Sequence, residues 1–212
     1  MRSPRAIPDP TRRAAHLAAL AACLIAAGAA LAGPATWQVV AGEGTKIVFT
    51  SKAPLETFQG RTGQVGGWCR FDPDDLAAGV ELAVDVDLAS FDTGLSKRNQ
   101  HMRENHLETG RFPRAELRGG TLRAAGGSAL PASLPPGGSV RVVLDGSLDL
   151  HGVTRPLTAE VTLVRGDGDA LAVEAAFIVR LEDHAIERPK FLVMKLADEQ
   201  AVTAHLDLER QP

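Results

Sequence analysis

Alternating hydrophobicity, short polar connections and a leader-like first segment predict an exported all-β chain. The expected form is an antiparallel barrel or sandwich with an apolar interior. Alternation is clearest from Val80 to Leu88, where Val80, Leu82, Val84, Val86 and Leu88 point one way. Glu81, Ala83, Asp85 and Asp87 point the other. Successive strand side chains face opposite sides, so such a segment buries one face and wets the other. A helix would scatter those five apolar residues around its circumference.

The same period runs through Val140–Leu150, Leu157–Leu163, Leu171–Leu181 and Val202–Leu208. Shorter candidates are Lys46–Thr50, Gly60–Phe71, Ala115–Leu122 and Phe191–Leu196, giving eight or nine strands. Asp72–Asp75, His151–Thr154 and Arg165–Asp169 are tight connections. They favour antiparallel neighbours, because parallel strands need long crossovers. The Gly-, Pro- and Ala-rich stretch Ala124–Ser139 is expected to be an extended hairpin tip. Ser96–Leu107 lacks alternation; the spacing predicts a helix of about three turns capped by Ser96 and stopped by Gly110 and Pro113. Leu95, Met102 and Leu107 would give it one thin buried edge. Spacing alone leaves barrel and sandwich both open.

The first 32 residues read as a secretory signal. Arg2, Arg5, Arg12 and Arg13 precede an uncharged run from Leu17 that ends in Ala30-Leu31-Ala32. Cleavage after Ala32 would leave one domain, residues 33–212, in the periplasm or outside the cell. Leu20-Ala21-Ala22-Cys23 also has the form of a lipobox, with Cys23 as a lipidated terminus in a minor reading. Arg12-Arg13 is a twin-arginine pair without the usual apolar sequel. Removing the segment takes four of 23 basic and one of 26 acidic side chains and leaves a net charge of −6. An acidic chain without a basic stripe argues against nucleic acid. Cys69 is then the single cysteine, which excludes an internal disulfide and suits a small buried hydrophobe.

At the level of motifs the chain resembles a known family. Ala89-Ser90-Phe91-Asp92-Thr93-Gly94, followed by Lys97-Arg98-Asn99-Gln100-His101-Met102, resembles the turn and short helix of the YceI-like family. Gly110-Arg111-Phe112-Pro113 fits the same pattern, as do Gly60 and the Phe71-Asp72-Pro73 turn. The stretch Asp145–Pro156 looks like that family's G-x-L-x-x-H-G-V-T-R-P hairpin. The likeness runs from about Trp37 to Leu208. It implies an eight-stranded, lipocalin-like antiparallel barrel with one short helix and a long apolar pocket. It also implies a ligand of the polyisoprenoid class or another long amphiphile. Three features depart from the pattern: Asn99 stands where Asp is common, Ala124–Ser139 is long, and Ile186–Phe191 resembles only a subset. Fold transfers across such a likeness better than ligand identity does.

The inward positions that would line a hollow barrel are Phe49, Val84, Val86, Leu144, Leu148, Val161 and Phe177. Met102 and Phe112 flank the helix and are candidates to close the mouth. The competing reading is a solidly packed barrel working as a non-catalytic interaction or stress-response protein. Catalysis has the weakest case. There is no G-x-S-x-G, no Cys–His pair at a recognisable spacing and no phosphate-cradling Gly loop. No cofactor or metal is implied. His101 and His106 are five apart, and helical metal pairs sit at i,i+4, so an α-helix would turn these rings to different faces. His151 is expected to hydrogen-bond its hairpin backbone, and His205 to point outward. The expected partner is therefore a long-chain isoprenoid or similar amphiphile, with no integral membrane span in the mature chain; a homodimer is left open.

Overall fold

The computed structural model describes residues 33–53, 56–191 and 194–212. The expected leader, with Cys23 and Ala32, lies outside the described residues. The strands are β1 (Ala35–Val39), β2 (Lys46–Lys52), β3 (Thr57–Thr62), β4 (Val65–Asp72) and β5 (Asp75–Asp87). A short helix, α1 (Ser96–His101), separates these from β6 (Arg114–Ala124), β7 (Ser139–Leu150), β8 (Val153–Arg165) and β9 (Ala170–Arg180). Two-residue strands β10 (Lys190–Phe191) and β11 (Met194–Lys195) precede β12 (Glu199–Arg210).

Every pairing is antiparallel, and the order β1-β4-β5-β6-β7-β8-β9-β12 closes on itself through β1 and β12. This is an eight-stranded barrel, which chooses barrel over sandwich; β3 ends the sheet order, its outer side bridged between Arg61 and Asp92. Two of the barrel's positions are split. Val39 pairs Leu208 at one end of β12, and β2 pairs the same strand from Lys46–His205 to Thr50–Ala201. Residues 40–45 loop out between them. Thr45, 1% exposed, stitches the gap: its hydroxyl donates to Val40 O at 2.6 Å and accepts from Asp207 N at 3.1 Å. The next position is shared by β3 and β4, so Gly60–Phe71 is two strands rather than one.

Alternation sets the two faces. Along β7, Val142, Leu144, Leu148 and Leu150 are buried within the barrel. Asp145 faces outward, held by Arg123 and by Thr158 Oγ1 at 2.7 Å. The Arg123 hydrogen bonds and that of Thr158 bring its carboxyl down to about 2.

Three expectations are corrected. Phe191–Leu196 is not a barrel strand: β10 and β11 pair only with each other, and Leu192 and Val193 lie outside the described residues. The stretch Ala124–Ser139 is not an extended tip. Leu134 is 0% exposed; its N–H donates to Pro73 O at 2.6 Å, and its carbonyl accepts from Arg165 Nη1 at 3.1 Å. Leu76 N donates to Ala132 O at 3.0 Å, so the loop folds over the β4–β5 turn at one end of the barrel. Apolar burial of Leu134 outweighs the flexibility suggested by its Gly and Pro neighbours. Finally, Ser96 does not cap the helix. Leu95 occupies that position with no side-chain hydrogen bond and is 56% exposed rather than buried.

Candidate functional site

Antiparallel alternation gives the barrel two distinct ends. The β4–β5 turn, the 125–138 loop and the β8–β9 hairpin gather at one. At the other lie the Leu88–Pro113 segment with α1, the His151-Gly152 turn and the segments Leu181–Phe191 and Met194–Asp198. Between them is a cavity of about 520 Å³, so the interior is not solidly packed. That volume is typical of small-ligand sites, which run from roughly 300 to 1,000 Å³.

Phe49, Val84, Val86, Leu144, Leu148, Val161 and Phe177 all line the cavity, and Met102 joins them from the helix. Phe112 does not. Its ring packs on His151, centroids 4.4 Å apart, with the Arg111 guanidinium 4.8 Å from its own centroid. It braces the β7–β8 turn from outside the lining. Cys69 lines the cavity too. Desolvation pushes its thiol up to about 12.

Among the described residues, polar lining is sparse: Ser51, Lys97, Arg98, His101, His106 and Gln200, with no Asp or Glu. Sequence reasoning missed Ser51 and Gln200, although the period could have found them. Ser51 continues the inward series Ile47, Phe49, and Gln200 continues Val202, Ala204, Leu206. Both are buried, at 0% and 5% exposure. Gln200 Nε2 donates to Ala197 O at 2.7 Å, whereas Ser51 Oγ has no hydrogen-bond partner among the described residues.

The helix brings its basic side chains to the mouth by an unusual turn. After α1 the backbone continues as a π-type turn over Met102–His106, with Leu107 N donating to Met102 O at 2.8 Å. An i→i+5 turn brings residues five apart back toward one face. His101 and His106 therefore both line the cavity, correcting the α-helical expectation that they diverge. Arg98 is fixed more firmly: Nη1 donates to Glu56 at 2.8 Å, Nε to Thr93 Oγ1 at 3.0 Å and Nη2 to Thr93 O at 2.9 Å. Its guanidinium also lies 4.1 Å from the Phe58 ring centroid, a cation–π contact.

Histidines tie the rim together. His106 Nδ1 lies 2.9 Å from Glu187 O, and His184 Nδ1 lies 2.9 Å from Val153 O. His151 Nδ1 reaches His184 O at 3.2 Å. Its partner is thus the connection after β9 rather than its own hairpin, because the turn's positive φ of 56° swings the ring across. His205 points outward as expected, 3.5 Å from Glu174. Among the described residues, no group of three or more His, Cys, Asp or Glu is placed to hold a metal ion.

This geometry has relatives. Residues 37–208 match the model of the YceI-like domain family. A polyisoprenoid binding domain from Saccharophagus degradans, implicated in plant cell wall breakdown, is 19% identical, with a TM-score of 0.64 over 84% of this chain and 99% of that one. Burkholderia cenocepacia BcnA is also 19% identical, with a TM-score of 0.64 over 77% and 95%. The Campylobacter jejuni YCEI protein is 15% identical, with a TM-score of 0.55 over 72% and 85%. No curated protein sequence matches significantly. With the closed barrel and the match over residues 37–208, the chain belongs to the YceI-like domain family.

Proposed function

We propose that this protein is a carrier for a long-chain amphiphile of the isoprenoid class, held in the barrel with its polar end at the mouth beside α1. The observation that carries this reading is the apolar cavity, lined over most of its length by aliphatic and aromatic side chains and bordered by polar ones. β8, at 13 residues, spans about 40 Å, so a tilted barrel offers room for an extended chain. Burying one CH₂ contributes about 0.8 kcal/mol. About fifteen carbons would give about 12 kcal/mol, against an association cost of roughly 4–15 kcal/mol. A chain of this order is needed, and shorter ones would bind weakly. The binding described for the Saccharophagus degradans domain supports the same ligand class.

The function is binding rather than catalysis. Among the described residues Ser51 has no hydrogen-bonded base, and burial raises the Cys69 thiol and keeps it protonated, which argues against either as a nucleophile. Export by the first 32 residues would place the carrier in the periplasm or outside the cell. There it could transport, store or sequester a molecule that water rejects. The test is mass spectrometry of organic extracts from protein purified from its native host, alongside uptake of geranylgeraniol by stripped protein. A prenyl or acyl species at near-stoichiometric level, or saturable uptake, is expected. A barrel that neither carries nor takes up such a chain sinks the proposal.

A further inference from the structure

The ladder between β8 and β9 is incomplete. It runs from Arg165–Leu171 to Glu160–Ala176 and stops, so Ala159–Phe177 and Thr158–Ile178, next in the same register, are unpaired. Each strand keeps its other neighbour: β8 follows β7 to Val153, and β9 follows β12 to Arg180. Pro156 lies in the unpaired stretch, and a residue without an N–H suits a sheet edge rather than its middle. Beyond it the short turn Glu182–His184 closes the top. His184 Nδ1 lies 2.9 Å from Val153 O, and Arg155 Nε donates to Asp183 O at 3.0 Å. The open stretch, from Pro156 to Ala159, is about 13 Å long.

Hydrogen bonds bridge the barrel's other interruptions. Thr45 spans the gap between β1 and β2, and Arg61 and Asp92 exchange N–H···O bonds of 3.0 and 2.9 Å beside β3. Where β5 leaves β6 before Ala83, Leu76 N donates to Ala132 O of the 125–138 loop. Between β8 and β9, among the described residues, side chains alone close the wall. Leu157, Ala159, Phe177 and Val179 face the cavity, while on the outside Ile178 is 52% exposed and Pro156 is exposed too. Parting strands elsewhere breaks ladder hydrogen bonds. Parting them here breaks none, and an incoming apolar chain replaces the contacts that are lost.

We infer that the apolar chain enters and leaves through the wall of the barrel, by parting β8 from β9 between the Glu182–His184 turn and the Glu160–Ala176 pair. Leu157 and Val179, opposite each other in register, form the gate, and Ile178 is its outer lip. α1 stays in place meanwhile, held by Arg98 on Glu56 and Thr93. The inference rests on the carrier reading above and adds a route to it, so its test reads rates rather than affinity.

The experiment joins Thr158→Cys and Ile178→Cys, both on the outer face, with a short bis-maleimide, the link being verified by mass. Cys69 is left as it is because its buried thiol stays protonated. Linking should slow uptake and release of geranylgeraniol alike, by about tenfold or more, and leave Kd unchanged, since a gate acts equally on both directions. The unlinked double variant should load at the wild-type rate. So should Thr162→Cys/Glu174→Cys linked across the intact ladder. A second measurement needs no variant: in the wild type, the Thr158 and Ile178 amides should exchange hydrogen at least about tenfold faster than those of Thr162 and Glu174. Equal protection at all four, or a linked seam that loads as fast as the unlinked protein, overturns the inference and leaves the carrier reading intact. If neither linked nor unlinked protein takes up geranylgeraniol, the carrier reading falls and this one with it.

Discussion

Asn99 Nδ2 donates to Asp92 Oδ1 at 2.7 Å, while Asn99 Oδ1 accepts from Thr93 N at 2.8 Å and Thr93 Oγ1 at 2.6 Å. One amide thus fastens the turn that enters α1, a task the absent N-cap side chain leaves open. The hydrogen bonds from Asn99 and Gly94 N hold the Asp92 carboxyl below the usual range. A carboxylate at position 99 could still accept from Thr93 but could not donate to Asp92. Asn99→Asp should therefore raise the pKa of Asp92 and lower Tm by a few degrees at neutral pH. The wild-type contribution is present above the unfolded carboxyl pKa and is lost as pH falls through the folded one. The Tm difference should accordingly narrow under acid. NMR titration of Asp92 checks the first outcome; an unchanged pKa refutes this account.

The His151-Gly152 turn has φ of 56° and 73°, the pair of positive values a two-residue hairpin turn requires. A Cβ on Gly152 would also meet Phe112 Cε1 at 2.7 Å, whereas one on Gly168, at φ 68°, would meet nothing within 4 Å. Gly168→Ala should cost about 1 kcal/mol from backbone strain alone. Gly152→Ala should cost about 2–3 kcal/mol because the braced ring must also move. Urea unfolding of the two variants separates strain from contact, and equal losses would show that Phe112 gives way freely.

Leu134 anchors the 125–138 loop across the closed end of the barrel. Leu134→Ala should cost about 2–4 kcal/mol in urea unfolding, the range for a fully buried leucine that leaves a cavity. A loss below about 1 kcal/mol would mean that the loop merely rests there.

What the sequence made legible follows from which interactions are local. The inward series of β5, β7, β8, β9 and β12 is written in period 2, since each strand meets the same apolar interior. The split of β1 from β2 is not, because it depends on Thr45 filling a gap in the distant strand β12. Leu134 was visible only as one apolar residue in a flexible composition; its burial needs the Pro73 carbonyl, far away in sequence. His101 and His106 misled because spacing was converted to direction through an α-helix, and the π-type turn changes that conversion. Ser51 lay on the inward series throughout, yet alternation says which way a side chain points and not whether the space before it is filled.

Cys69 gives a pH signature. Its thiol is raised to about 12 by burial, so the folded state keeps the proton after the unfolded chain has lost it. The contribution to stability is complete below the unfolded thiol pKa, about 8.5, and falls as pH rises from there toward 12. Unfolding free energy of the wild type should decline relative to Cys69→Ala between pH 8 and 11. Parallel curves would show that the thiol is wetter than its surroundings imply.

Ala175 offers the most direct control over the cavity. It faces inward at mid-strand, opposite Val161 on β8 and Ala204 on β12, where small side chains leave space between the walls. Ala176, next in the chain, is exposed on the outer face. Ala175→Trp adds a large apolar ring to empty volume, so it should lower uptake of geranylgeraniol by roughly tenfold or more, each tenfold being about 1.4 kcal/mol. Because the added surface is buried without displacing packed neighbours, Tm should hold or rise. Ala176→Trp should leave uptake unchanged. Fluorescence of the introduced indole supplies a second readout, since a ligand entering the barrel must quench or shift it. If Ala175→Trp folds normally and takes up the chain as well as the wild type does, the ligand sits elsewhere.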